Sequence, residues 1–100
     1  AEGLYSHVEN CLKSKYFDLA KIKAHISYFN EMHYIDDISN LNTSKIFLFG
    51  GLLDIEVPVE AVKFSEKVWG EYTQNIRSNY SIKSGHSMVT DFYGYKCSSV

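Results

Sequence analysis

Ile46-Phe47-Leu48-Phe49-Gly50-Gly51-Leu52-Leu53-Asp54-Ile55-Glu56-Val57-Pro58 is the stretch from which the architecture can be worked out. Its first four residues form an unbroken apolar run. That pattern suits a strand covered on both faces, as in a parallel sheet, rather than a half-solvated strand, which would alternate. Gly50-Gly51 ends the run, and Pro58 supplies the fixed φ of a first helical turn. Ala61, Phe64 or Ser65, Val68 and Tyr72 then recur at spacings of three and four, with Glu60, Lys63, Glu66 and Lys67 outward. A helix is predicted to run to about Tyr72. Beyond it Ile76, Ser78, Tyr80 and Ile82 alternate with Arg77, Asn79 and Ser81, which predicts a half-buried strand ending just before Gly85-His86.

Strand, helix, strand with a connection of this length is a βαβ unit, so the two strands should be parallel neighbours. Upstream, Leu19, Ile22, Ile26 and Phe29 recur at helical spacing, with Asp18 placed as a cap and Lys21, Lys23 and Asn30 on the other face. Between them, residues 34–44 hold Asp36-Asp37, Ser39-Asn40 and Asn42-Thr43-Ser44, whose side chains compete for backbone hydrogen bonds and predict a loop. The order is helix, strand, helix, strand. A two-stranded parallel sheet cannot by itself cover both faces of Ile46 to Phe49. Residues 1–100 therefore read as the carboxyl-terminal segment of a single α/β domain, one edge of a doubly wound sheet whose other strands come from upstream of Ala1.

One hundred residues leave no room for a second domain, and 45% hydrophobic and 15% aromatic content is that of a chain that buries a core. Ten basic against twelve acidic residues give a formal charge of -2, with the basic ones scattered. The footprint of a nucleic-acid or anionic-membrane binder is missing. No apolar stretch approaches the roughly 20 residues that span a bilayer. Ala1 follows neither an initiator Met nor a secretory signal pattern, so it reads as a cut or processed end. Cys11 and Cys97 lack zinc-site spacing; if the protein is secreted they pair with each other or with upstream cysteines. A bond between them would close a loop of about 86 residues, worth roughly 4 to 5 kcal/mol in the chain-entropy model. Asn42-Thr43-Ser44 and Asn79-Tyr80-Ser81 match the glycan acceptor pattern and lean towards the secretory route.

In open α/β sheets functional groups gather just beyond the carboxyl ends of the strands. Asp54 lies on the turn after the first strand and His86 on the turn after the second, in Ser84-Gly85-His86-Ser87. Parallel neighbours about 4.8 Å apart would bring these turns together. An Asp that accepts from one imidazole nitrogen fixes the tautomer and leaves the other nitrogen free as a base, the Asp-His half of a hydrolase triad. The plainer reading of Asp54 is a helix cap or turn former, and that of His86 a loop histidine with a satisfied hydrogen bond. His7, His25 and His33 have no partner at metal-ligand spacing. Asp36-Asp37 and Asp91 read as turn residues, and Tyr16, Phe17, Tyr28 and Phe29 as core and rim aromatics.

The G-x-x-D-x-x-V element of Gly51-Leu52-Leu53-Asp54-Ile55-Glu56-Val57 and the step Gly85-His86 occur across many α/β-hydrolases. Together with the preceding Ile35-Asp36-Asp37-Ile38-Ser39-Asn40-Leu41, then Tyr72, and the ending Tyr93-Gly94-Tyr95-Lys96-Cys97, they give a chain that resembles the carboxyl-terminal part of extracellular polyhydroxybutyrate depolymerase-like esterases. The resemblance covers nearly the whole chain. It implies ester hydrolysis by a Ser-His-Asp triad without metal or organic cofactor, with Asp54 as the acid and His86 as the general base. Its implied partners are the upstream half of the same hydrolase and an ester substrate, and its implied location is secreted or vacuolar/lysosomal. Two departures matter. There is no G-x-S-x-G and no H-G-G-G-type oxyanion loop, so nucleophile and oxyanion donors would lie upstream. Gly51-Leu52-Leu53 stands where relatives often carry a small polar residue, so what else holds the acid is left open. The rival reading is a hydrolase-like structural or interaction subunit in which Asp54 and His86 persist without a nucleophile.

Overall fold

The computed structural model describes residues 17–94 and 96; His7, Cys11, Tyr16, Tyr95 and Cys97 lie outside them. Helix α1 spans Leu19–Glu31 and begins where the sequence places its cap: the Asp18 carboxylate accepts from the Lys21 amide at 3.2 Å. It ends on His33, whose φ of 57° is left-handed. The amides of His33 and Tyr34 donate to the carbonyls of Asn30 (3.1 Å) and Phe29 (2.9 Å), which is the Schellman pattern. Tyr34 then lies against Tyr28 and Phe29, ring centroids 6.2 Å away in each case. These two rings thus pack at the exposed helix end, 51% and 44% accessible, and are not core as their spacing predicts. Phe17 does pack inward, stacked on Phe64 at 4.3 Å.

The loop predicted over 34–44 contains a short 3₁₀ helix, Ile38–Thr43. Asp37 caps it by accepting from the Ser39 amide at 2.9 Å, and that hydrogen bond holds the Asp37 carboxyl below its usual range. The Asn30 side chain accepts from the Ile38 amide at 3.1 Å and ties the segment back to α1.

Strands β1 (Ile46–Phe49) and β2 (Ile76–Asn79) pair in parallel, Ile46 opposite Ile76 and Phe49 opposite Asn79. Mixed helix and strand with a parallel pair is the α/β arrangement the spacing predicts. β2 is shorter than the alternation over 76–82 suggests. The Asn79 side chain accepts from both the amide and the hydroxyl of Ser81, each at 3.0 Å, and bends the chain away. At the opposite end, the buried Thr73 hydroxyl donates to the Ser44 carbonyl at 2.9 Å and accepts from the Asn75 amide at 3.1 Å, joining the starts of both strands.

Between the strands runs α2, Val59–Gly70. Pro58, with ψ 144°, is still extended and serves as the N-cap residue, one position before the first helical turn expected for it. The helix also stops short of Tyr72. Val59 and Ala61 are its buried residues. Glu66, read as outward from its spacing, turns to the sheet instead: it accepts from Tyr80 Oη at 2.6 Å and Ser78 Oγ at 3.1 Å. Burial first, and the Glu66 carboxylate second, push the Tyr80 hydroxyl up to about 12. Lys23 and Glu71, 2.8 Å apart, link α1 to the end of α2 at the surface.

Among the described residues Phe47 is 68% exposed, so the strand pair leaves that face of the apolar run uncovered. No helix among them is long and apolar enough to cross a membrane. With buried apolar side chains limited to Val59 and Ala61 among the described residues, little burial offsets the conformational entropy of ordering the chain. Expressed by itself, the 100-residue chain is expected to give associated or molten material rather than a cooperative monomer. Calorimetry with sedimentation checks this; a monomer with a sharp thermal transition contradicts it.

Candidate active site

The parallel ladder does not stop with the strands. The Gly50 amide donates to the Asn79 carbonyl (3.2 Å), the Leu52 amide to Ile82 (2.9 Å) and the Leu53 amide to Ser84 (3.0 Å). The two segments beyond the strand ends are thus zipped together. The next residue on one is Asp54; two residues on along the other is His86. His86 Nδ1 lies 2.9 Å from Asp54 Oδ2. The structure brings together the two residues singled out by topology.

Each carboxylate oxygen of Asp54 has its own task. Oδ1 accepts from the amides of Val57 (2.8 Å) and Glu56 (2.9 Å), closing a turn immediately before Pro58 and the start of α2. Oδ2 is left to the imidazole. These two amides give Asp54 the turn-forming role its sequence context suggests; what the sequence reading missed is that this role and the contact with His86 share one carboxylate. The Asp54 side chain is 11% exposed and that of His86 58%. In the neutral ring a carboxylate facing Nδ1 favours the tautomer with Nδ1–H, which leaves the lone pair on Nε2 at the far edge of the ring. Nε2 has no hydrogen bond within the described residues. An acceptor nitrogen oriented through the other edge of its ring by a largely buried carboxylate can take up a proton from a neighbouring group.

Burial alone would raise the Asp54 carboxyl, but the Val57 amide, the His86 ring and the Glu56 amide outweigh it and hold the group below its ordinary 3.8. The His86 ring is pushed above its ordinary 6.5, first by its hydrogen bond to Asp54 and then by that carboxylate's charge. The signs for stability are opposite. Asp54 stabilises the fold above about 3.8 and loses that contribution as pH falls through its lowered value. His86 contributes fully below about 6.5 and loses it as pH rises through its raised value.

Among the described residues, the two other histidines do not join this pair. His25 is exposed on α1 and His33 occupies the left-handed position after it. Among the described residues no group of three or more His, Cys, Asp or Glu side chains is arranged to hold a metal ion.

A poly(3-hydroxybutyrate) depolymerase of Delftia acidovorans is 34% identical to this chain over 67 residues, 65% of the chain and 14% of the depolymerase. The chain is thus depolymerase-like over most of its length while spanning a small part of that relative. No protein-family model and no solved structure matches it.

In the intact protein, Asp54→Asn is expected to bring the His86 pKa down towards 6.5, because the charge and hydrogen bond that raise it are lost. NMR titration of the imidazole checks this; an unchanged midpoint contradicts the coupling.

Proposed function

We propose that this chain supplies the acid and the base of a serine carboxylic ester hydrolase acting on polyhydroxyalkanoate-like or short-chain esters. The observation that carries the reading is the Asp54 Oδ2 to His86 Nδ1 contact of 2.9 Å, with Nε2 on the opposite edge of the ring. The partial likeness to a poly(3-hydroxybutyrate) depolymerase supports the substrate class. The serine and the oxyanion donors come from another part of the same hydrolase, since the 100 residues hold no G-x-S-x-G.

In this scheme His86 Nε2 takes the serine hydroxyl proton as the oxygen attacks the ester carbonyl. It returns that proton to the leaving alcohol when the tetrahedral intermediate collapses to an acyl-enzyme. It then deprotonates water for the hydrolytic half, and the serine leaves with the proton restored. Asp54 keeps Nδ1–H pointed inward and stabilises the imidazolium formed in each half. No metal or organic cofactor takes part in these steps.

The reading also assigns the protein to the secretory or vacuolar/lysosomal route. Thiol titration of the native protein is then expected to find Cys11 and Cys97 blocked, and free thiols would remove the assignment. In the intact protein, His86→Ala is expected to abolish turnover of a short-chain ester with the fold retained, since an exposed ring carries little buried area. Asp54→Asn should lower kcat by up to roughly 10⁴-fold, with the wrong tautomer favoured. Steady-state kinetics beside circular dichroism checks both. Full activity in His86→Ala would leave the chain a hydrolase-like structural or interaction subunit.

A further inference from the structure

Gly51 lies three residues before Asp54, and its amide-bearing neighbours Leu52 and Leu53 form the zipper to Ile82 and Ser84. A Cβ at position 51 would stand 2.3 Å from the Ser84 carbonyl oxygen, 2.6 Å from its Oγ and 3.0 Å from its carbonyl carbon. Cβ atoms essentially never approach a non-bonded heavy atom closer than 3.0 Å. The obstruction is mostly backbone, which cannot swing aside as a side-chain end can. Ser84 is itself fully buried, so it has nowhere to retreat. Gly51 is not among the positive-φ glycines, so an alanine could adopt its backbone angles and the demand is for space alone.

We infer that Gly51 is a positioning residue: its bare Cα, resting on the Ser84 carbonyl, sets the separation at which Asp54 meets His86. An added methyl group, with its nearest contact at 2.3 Å, would push the two segments apart. That displacement falls between the Leu53 amide and the Ser84 carbonyl, one residue from the acid and two from the base. The Asp54 to His86 contact has no slack to absorb it. Oδ1 is already committed to the Glu56 and Val57 amides, so the carboxylate cannot follow the ring. The charged groups that bear on His86 are the Asp54 and Glu56 carboxylates, both carried on the turn that would move.

The catalytic half of this inference rests on the ester-hydrolase reading, and the test keeps the two apart. In the intact protein, Gly51→Ala is compared with wild type by NMR titration of His86 and by kinetics on a p-nitrophenyl butyrate probe. The expected result is a His86 pKa lowered towards 6.5, with kcat down by roughly tenfold to a hundredfold and KM nearly unchanged. Gly50→Ala serves as the comparison, because its Cβ would meet side-chain atoms of Val59, Tyr80 and Val62 at 3.0 to 3.3 Å, and its His86 titration should stay where it is. An unmoved His86 pKa in Gly51→Ala overturns the inference, whatever happens to kcat. So does an equal fall in Gly50→Ala, or a Gly51→Ala protein that does not fold, since the contact would then be holding the sheet rather than the pair. A lowered pKa with undiminished turnover upholds the role of Gly51 and counts against the hydrolase reading instead.

Discussion

The close approach of two backbones beyond the ends of β1 and β2 is the constraint on which the rest of this structure depends. Parallel pairing puts the carboxyl ends of both strands on one side, and the helical crossover through α2 is what makes parallel pairing of sequence neighbours attainable. Pairing alone would let the chains diverge where the strands stop. Three amide-to-carbonyl bonds from Gly50, Leu52 and Leu53 carry it further, and so residues 32 apart in sequence meet side chain to side chain. Asp54 and His86 are thus placed by main-chain hydrogen bonding between the segments that carry them.

Asp54 shows how one carboxylate serves two structures. The bonds from Glu56 and Val57 to Oδ1 make it a turn former at the entrance to α2, the plainer role its sequence context suggests, and the bond at Oδ2 makes it the partner of His86. The two roles are not rivals. Because the turn consumes one oxygen, the other has a fixed direction, and a side chain free to rotate would give His86 no such definition. The lowered carboxyl and the raised imidazole are the electrostatic expression of that single geometry.

The parts of the fold that were legible in the sequence are those set by local chemistry. Asp18 before an apolar stripe marks the start of α1, the run from Ile46 to Phe49 marks β1, and the spacing between two strand patterns implies a parallel pair. Asp54 and His86 could be paired from topology because both follow strand ends. What was not legible depends on tertiary partners. Glu66 looks solvent-facing on a helical wheel, and only the arrival of Tyr80 and Ser78 explains why it turns inward. Tyr28 and Phe29 fall on or near the apolar stripe, yet they sit at a helix end where Tyr34 folds back on them. Tyr80 and Ile82 read as strand residues, and only the capture of Ser81 by the Asn79 side chain explains why β2 ends at Asn79. Gly51 reads as a strand terminator, and nothing in its neighbours announces that a carbonyl from 33 residues downstream occupies the space of its missing side chain.

The clamp between Tyr80 and Glu66 has a bearing on how this molecule would answer acidity. A hydroxyl held near 12 keeps its proton at every pH at which an imidazole titrates, so the bond from β2 to α2 is indifferent to the range in which His86 changes charge. On the alkaline side, that support is withdrawn as pH climbs from about 10 towards the raised value. The Tyr80 hydroxyl and the His86 ring therefore answer to separate proton concentrations: the imidazole can switch between its two charge states while Tyr80 keeps the proton it donates to Glu66.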